Sequence, residues 1–117
     1  MAVVITTSMP PSTNHLFAGA GKRRWRSSEY EAWITEAGYE LNRQHPVSVA
    51  GKVSLRIEVQ EPTGKRTFDL SNRCKAIEDL LVSHRIIEGD DSRYVRRIIL
   101  DWSVDIIGVR ITIDPIE

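Results

Sequence analysis

This chain of 117 residues lacks most of the features that narrow a function quickly. It has one cysteine, Cys74, which excludes a disulfide framework and a cysteine-based zinc site and fits a reducing cytosol. No apolar run is long enough to span a bilayer. The N-terminus has neither the charged start nor the long apolar core of a signal peptide. A cytoplasmic location with no membrane partner is therefore expected. An excess of one charge is also missing: 16 Lys and Arg balance 16 Asp and Glu. No global field draws the protein onto nucleic acid, so any such contact needs a local patch. The histidines His15, His45 and His84 have no partners at metal-ligand spacing. No catalytic role falls to them, and His84 follows a predicted helix end, where a cation is favourable. There is no internal repeat and no low-complexity tract. One domain remains, long enough for a real core.

What is present is an orderly succession of elements. Ala2–Thr7 is a β-branched run that reads as a strand, closed by Pro10 and Pro11. The Pro10–Asn14 segment is extended or turn chain, fit either to position a site or merely to end the strand. Ser27 or Ser28 caps a helix over 29–43, whose Tyr30, Trp33, Ile34, Ala37 and Leu41 recur at helical spacing. Gly38 is tolerated there at about 1 kcal/mol relative to Ala. Gln44-His45-Pro46 ends the helix. Val53, Leu55, Ile57 and Val59 alternate with polar residues and predict a half-buried strand. After the turn at Glu61–Gly64 comes a second helix, then strands over 94–102 and 108–113, predicted to pair as a hairpin. The order β-α-β-α-β-β predicts an α+β domain: one mixed sheet of about four strands with two main helices packed on it.

The second helix concentrates the chemistry. Asp69 is placed to cap it. At about 100° per residue, Cys74, Ile77, Leu80 and Leu81 share one side, while Asn72, Lys75 and Asp79 share the opposite one. Cys74 thereby reads as a small core residue, not a nucleophile. A polar stripe is ordinarily a solvated face. Downstream, however, Gly89-Asp90-Asp91 sets two adjacent carboxylates at a turn. Two acidic sites plus a lysine suit divalent-metal phosphodiester chemistry. Carboxylate oxygens suit Mg²⁺, which keeps several waters. Such an ion activates water and stabilises the leaving oxygen, and a lysine neutralises charge on phosphate.

Ala18–Arg26 reads as a flexible loop carrying Lys22, Arg23, Arg24 and Arg26 around Trp25. Its Gly-Lys pair is not a phosphate-binding P-loop: the first glycine is misplaced and no Ser or Thr follows Lys22. Cations with an interleaved ring suit a nucleic-acid backbone, or else a solvated surface. Arg66 and Arg73 beside the second helix, with Arg93, Arg96 and Arg97, are further candidate backbone contacts. Trp33, Leu100 and Trp102 fit core or an interface equally.

On these residues the chain resembles the RusA family of phage-type Holliday junction resolvases. The likeness spans the opening strand with Pro10-Pro11-Ser12 and Asn14, the helix Asp69-Leu70-x-Asn72-x-x-Lys75-x-x-x-Asp79-x-Leu81, the Asp90-Asp91 pair and the closing strands. The resemblance implies one endonuclease domain over 1–117, a homodimer that cuts four-way DNA junctions with Mg²⁺ or Mn²⁺ and takes no small-molecule substrate. By position, Asp69 and Asp91 match the metal aspartates, with Asp90 an alternative because of an extra residue near Gly89. Lys75 matches the lysine needed for cleavage, and Asn72 and Asp79 match residues that accompany it. Paired nicks leaving 5′-phosphate and 3′-hydroxyl ends are implied. One position departs: Ser71 stands where the family carries a second aspartate. A hydroxyl is a neutral, weaker ligand. Either Asp69, Asp91 and water suffice, or Asp79, Glu78 or Asp90 supplies the missing carboxylate, or the protein binds junctions and cuts them poorly. Asp79 is favoured among the substitutes, beside an equal case for a purely structural Asp79.

Overall fold

The strand Val53–Gln60, β4 in chain order, is the centre of the molecule in this computed structural model, which describes residues 2–64 and 67–116. The remaining elements are β1 (Val3–Thr7), β2 (Phe17–Ala18), β3 (Trp25–Arg26), α1 (Ser28–Gln44), α2 (Cys74–Ser83), β5 (Val95–Ser103) and β6 (Val109–Pro115). Val53, Leu55, Ile57 and Val59 of β4 are fully buried, while Arg56 between them is exposed. The same alternation buries Val109, Ile111 and Ile113 of β6 and Ile5 of β1. They join Tyr30, Trp33, Ala37 and Leu41 of α1 and Ile77, Leu80 and Leu81 of α2 in one core. One face of the sheet is thus covered by helices and the other is polar, as expected from period-two patterning.

The main sheet has the order β1-β6-β4-β5, with β4 parallel to β5 and antiparallel to β6. The predicted hairpin of the last two strands does not form. They run antiparallel, but β4 lies between them. The connection arches past the end of β4, where Gln60 N–H donates to Gly108 O and Glu61 N–H to Ser103 O, both at 2.9 Å. Gly108, at φ +78°, makes this possible, because a Cβ there would overlap the Thr7 carbonyl. Alternation fixes which face a strand buries. It does not fix the neighbour, and here a strand buried along its whole inner face took both edges.

Local signals agree elsewhere. Ser27 Oγ accepts the Tyr30 N–H at 3.0 Å and caps α1. His45 ends it in the left-handed region at φ 49°, just before Pro46. The stretch read as a flexible loop is instead a small hairpin: β2 pairs with β3 around a helical turn at Gly21–Arg23. Gly19, at φ +84°, lets the chain close under the Trp25 ring, since a Cβ would overlap that ring and the Arg23 carbonyl. Gly38 of α1 sits against the His84 ring, 3.3 Å from where a Cβ would lie. Along the outer edge of β1, Gln44 brackets Thr6: Oε1 accepts its N–H at 2.8 Å and Nε2 donates to its carbonyl at 2.7 Å. Glu40 accepts the Ser8 N–H at 2.8 Å. No helix among the described residues is long and apolar enough to cross a membrane.

Candidate functional site

The second helix begins with a tight turn over Leu70–Arg73, and only then becomes α2. That turn changes the part played by Asp69. Its backbone carbonyl accepts the Asn72 N–H at 3.1 Å, and its side chain makes no capping bond, contrary to the expectation. In a tight turn the main chain satisfies that N–H. The carboxylate is left exposed, touched by Asn72 Nδ2 at 3.4 Å.

The Pro10–Thr13 segment is latched to the same turn. Arg73 Nη1 donates to the Pro10 carbonyl at 2.7 Å and Thr13 Oγ1 to the Asn72 carbonyl at 3.0 Å. Arg73 also lies over Phe68, 4.8 Å from its centroid. The proline loop therefore helps to hold the start of the helix.

Lys75, one turn further on, lies between two carboxylates. Its Nζ is 3.1 Å from Asp79 Oδ1 and 3.3 Å from Asp90 Oδ2. The hydrogen bond to Asp79, with support from Asp90, raises the lysine above its usual range and keeps it charged. Glu78 is half-buried behind it, and burial raises its carboxyl. Cys74 Sγ donates to Glu78 Oε2 at 3.6 Å, and burial pushes the thiol up to about 12. Cys74 is half-buried and packs against the core, in line with its apolar-side reading.

Asp90 and Asp91 part company at the turn. Asp90 faces Lys75. Asp91 accepts from Arg93 N at 2.9 Å and Nε at 3.1 Å through Oδ1, and from Nη2 at 2.8 Å through Oδ2. The Arg93 side-chain bonds, then its backbone N–H, hold this carboxyl down to about 2. Gly89 leaves room for the Tyr94 ring, which would stand 2.7 Å from a Cβ.

Two clefts meet at Asn72. One is lined by Ser12, Thr67, Phe68, Asp69, Asn72 and Arg73. The other includes Phe17, Arg24, Ser71, Asn72, Lys75 and Glu78. Sharing Asn72, the two clefts form one trough with Asp69 at one end and Lys75 at the other, and Asp79 and Asp90 adjoin it through their contacts with Lys75. No three carboxylate, His or Cys side chains stand at ligand spacing among the described residues. Arg24 lies 4.6 Å over Phe17, and Arg26 5.9 Å from the Tyr30 centroid. Lys22 and Arg23 are exposed on the same hairpin, and Arg66 lies outside the described residues.

The sequence reading passed over Phe17 and Phe68, which are 42% and 43% exposed at the trough. Their signal was adjacency: Phe17 opens the basic stretch and Phe68 precedes Asp69. It also assigned Tyr30 to the core alone. Tyr30 is buried, yet burial and then the charge of Asp79 raise its phenol, so it underlies the lysine knot as well.

No curated protein matches this chain. The family described as endodeoxyribonuclease RusA matches residues 8–114. That span takes in the proline loop, the trough, both acidic groups and every strand but β1, stopping one residue short of the end of β6, and the chain belongs to the RusA endodeoxyribonuclease family.

Proposed function

We propose that this protein resolves four-way DNA junctions by metal-dependent hydrolysis of phosphodiesters, as a homodimer making paired symmetric nicks. The observation that carries the reading is Lys75 held between Asp79 and Asp90 at one end of a trough whose other end carries Asp69. Family membership supports the reaction class.

The donor set consists of hard oxygens, which suits Mg²⁺ or Mn²⁺. An ammonium already stands where two carboxylate oxygens converge, so the locus favours positive charge. Asp90 would hold the ion at this locus, and Asp69, the family's first metal position, stands at the other end of the trough. Asp91 is the alternative once its fork with Arg93 opens, and Ser71 and Asn72 would contribute neutral oxygens. The bound ion supplies water activation and charge neutralisation at the scissile phosphate. Lys75 donates to the phosphate oxygens as negative charge grows on them. Asn72 orients the Asp69 carboxylate. Lys22, Arg23, Arg24 and Arg26 meet the backbone from the hairpin, with Arg66, Arg73 and the Arg93–Arg97 stretch as further contacts. A two-fold dimer matches the near two-fold symmetry of the junction.

A labelled synthetic four-way junction incubated with Mg²⁺, Mn²⁺ or EDTA tests the reading. Symmetric nicks only with metal are expected. Equal treatment of junction and linear duplex would overturn it. The second reading is a junction binder with weak cleavage. It draws on the exposed Ser71 hydroxyl in the trough, where the family carries a carboxylate. Tight binding without nicks, with cutting gained by Ser71→Asp, is its signature.

A further inference from the structure

A third cleft adjoins the trough across Phe68 and Arg73, which line both. It is a slot of about 210 Å³ at the carboxyl ends of β4 and β5, the parallel pair of the main sheet. Sheets of this kind take ligands outside the carboxyl ends of parallel strands. Trp102 forms one wall. It pairs in register with the buried Val59, so it lies on the helix-covered face, half-buried. Phe68 forms the other wall and is 43% exposed. Its ring is backed by the Arg73 guanidinium at 4.8 Å, which is itself fixed on the Pro10 carbonyl at 2.7 Å. Polar groups complete the lining. Gln60 Oε1 accepts the Gly108 N–H at 2.9 Å, which leaves Nε2 as a donor. The backbone of Glu61 is held by Ser103 O at 2.9 Å, and its side chain is exposed.

We propose that this slot takes one unpaired nucleobase from the DNA strand whose phosphate lies at Asp69. Two aromatic side chains offer the faces on which any base stacks. An amide N–H and a carboxylate at the wall suit the donors and acceptors of its edge. The volume falls below the roughly 300–1,000 Å³ of drug-sized pockets and suits a single heterocycle. Phe68 directly precedes Asp69, so a base on that ring belongs to a nucleotide next to the phosphate there. Extruding a base is cheapest where it is already unpaired or poorly stacked. The crossover of a junction meets that condition and the interior of a duplex does not. The slot therefore selects branched DNA by the ease with which a base leaves its stack, a criterion that phosphate contacts on the basic hairpin do not apply. The place of the phosphate rests on the nuclease reading; the slot and its chemistry do not.

Binding in EDTA, where no metal-dependent cutting occurs, tests the slot. Four-way junctions carry one 2-aminopurine, placed in turn on each side of the crossover or, as a control, in the middle of an arm. Wild type is expected to change the emission about twofold or more at one crossover position and not in the arm. Phe68→Ala and Trp102→Leu, each with an unchanged far-UV spectrum, should abolish the change, and Phe68→Tyr, which keeps the ring, should retain it. Phe68→Ala should also weaken junction binding about tenfold by anisotropy and leave binding to linear duplex unchanged. A bound junction with no response overturns the proposal, as does a protein that binds no junction. So does a response that survives both Phe68→Ala and Trp102→Leu, or an equal response from free 2-aminopurine riboside, which would make the slot a small-molecule site. A parallel incubation with Mg²⁺ separates the two readings. A response without cutting keeps the slot and removes the nuclease, and cutting without a response removes the slot alone.

Discussion

Lys75 shows how much one side chain carries here. It is bound to Asp79 and Asp90 at 3.1 and 3.3 Å, yet it remains exposed enough to reach a phosphate. Lys75→Ala is expected to lower single-turnover cleavage of a junction by about 10²–10³-fold, as for other lost charge-stabilising donors. Junction affinity should change far less, and a parallel loss of binding would place the lysine in recognition instead. Its raised pKa means that charge is retained to high pH. The stabilisation from its pairing is present below the unfolded lysine value and lost only as pH rises through the folded one. Cleavage should therefore show no descending limb from Lys75 below about pH 10. Asp91 works in the opposite direction. Its carboxyl is held at about 2, so its fork with Arg93 persists above the unfolded aspartate value and is lost as pH falls through about 2. Carboxyl NMR should place its midpoint there. Arg93→Ala should return that midpoint to about 4. If the same change raises cleavage, Asp91 is the better metal ligand of the two; if it does not, Asp90 is.

Among elements, the passage from β5 over β4 into β6 depends on a single glycine. Gly108→Ala would drive a methyl into the Thr7 carbonyl at a positive φ. Strain of this kind costs about 1–3 kcal/mol. For a chain of this size, a melting temperature lower by roughly 5–10 °C follows, measurable by calorimetry. The sequence announced each main element because each has a strong local cause: alternation in β4, helical spacing and the Ser27 cap in α1, an apolar side in α2. It did not announce that β4 separates β5 from β6, because strand order is a long-range property and Val-x-Ile-x-Ile alternation suits any antiparallel neighbour. The small hairpin was missed for a related reason. Gly19 and Gly21 resemble flexible linker until Trp25 is seen lying on Gly19. At the site, the residue types were legible and their pairings were not. Asp90 and Asp91 are adjacent and alike in sequence, and only the Asp91-Ser92-Arg93 turn separates their roles.

For the whole molecule, a balanced charge makes recognition local. If the four cations of Lys22–Arg26 each meet a phosphate, log affinity for a junction should fall with log salt at a slope of about −3.6 from this hairpin alone. Lys22→Ala with Arg23→Ala should flatten the total slope by about 2. Fluorescence anisotropy over a salt series reads both, and a slope untouched by the double change would take DNA off this surface. The bracket that Gln44 places around Thr6 has a wider consequence. With its N–H and its carbonyl both taken up from within, Thr6 has nothing to offer an incoming strand, and that stretch of the border is closed to lateral growth.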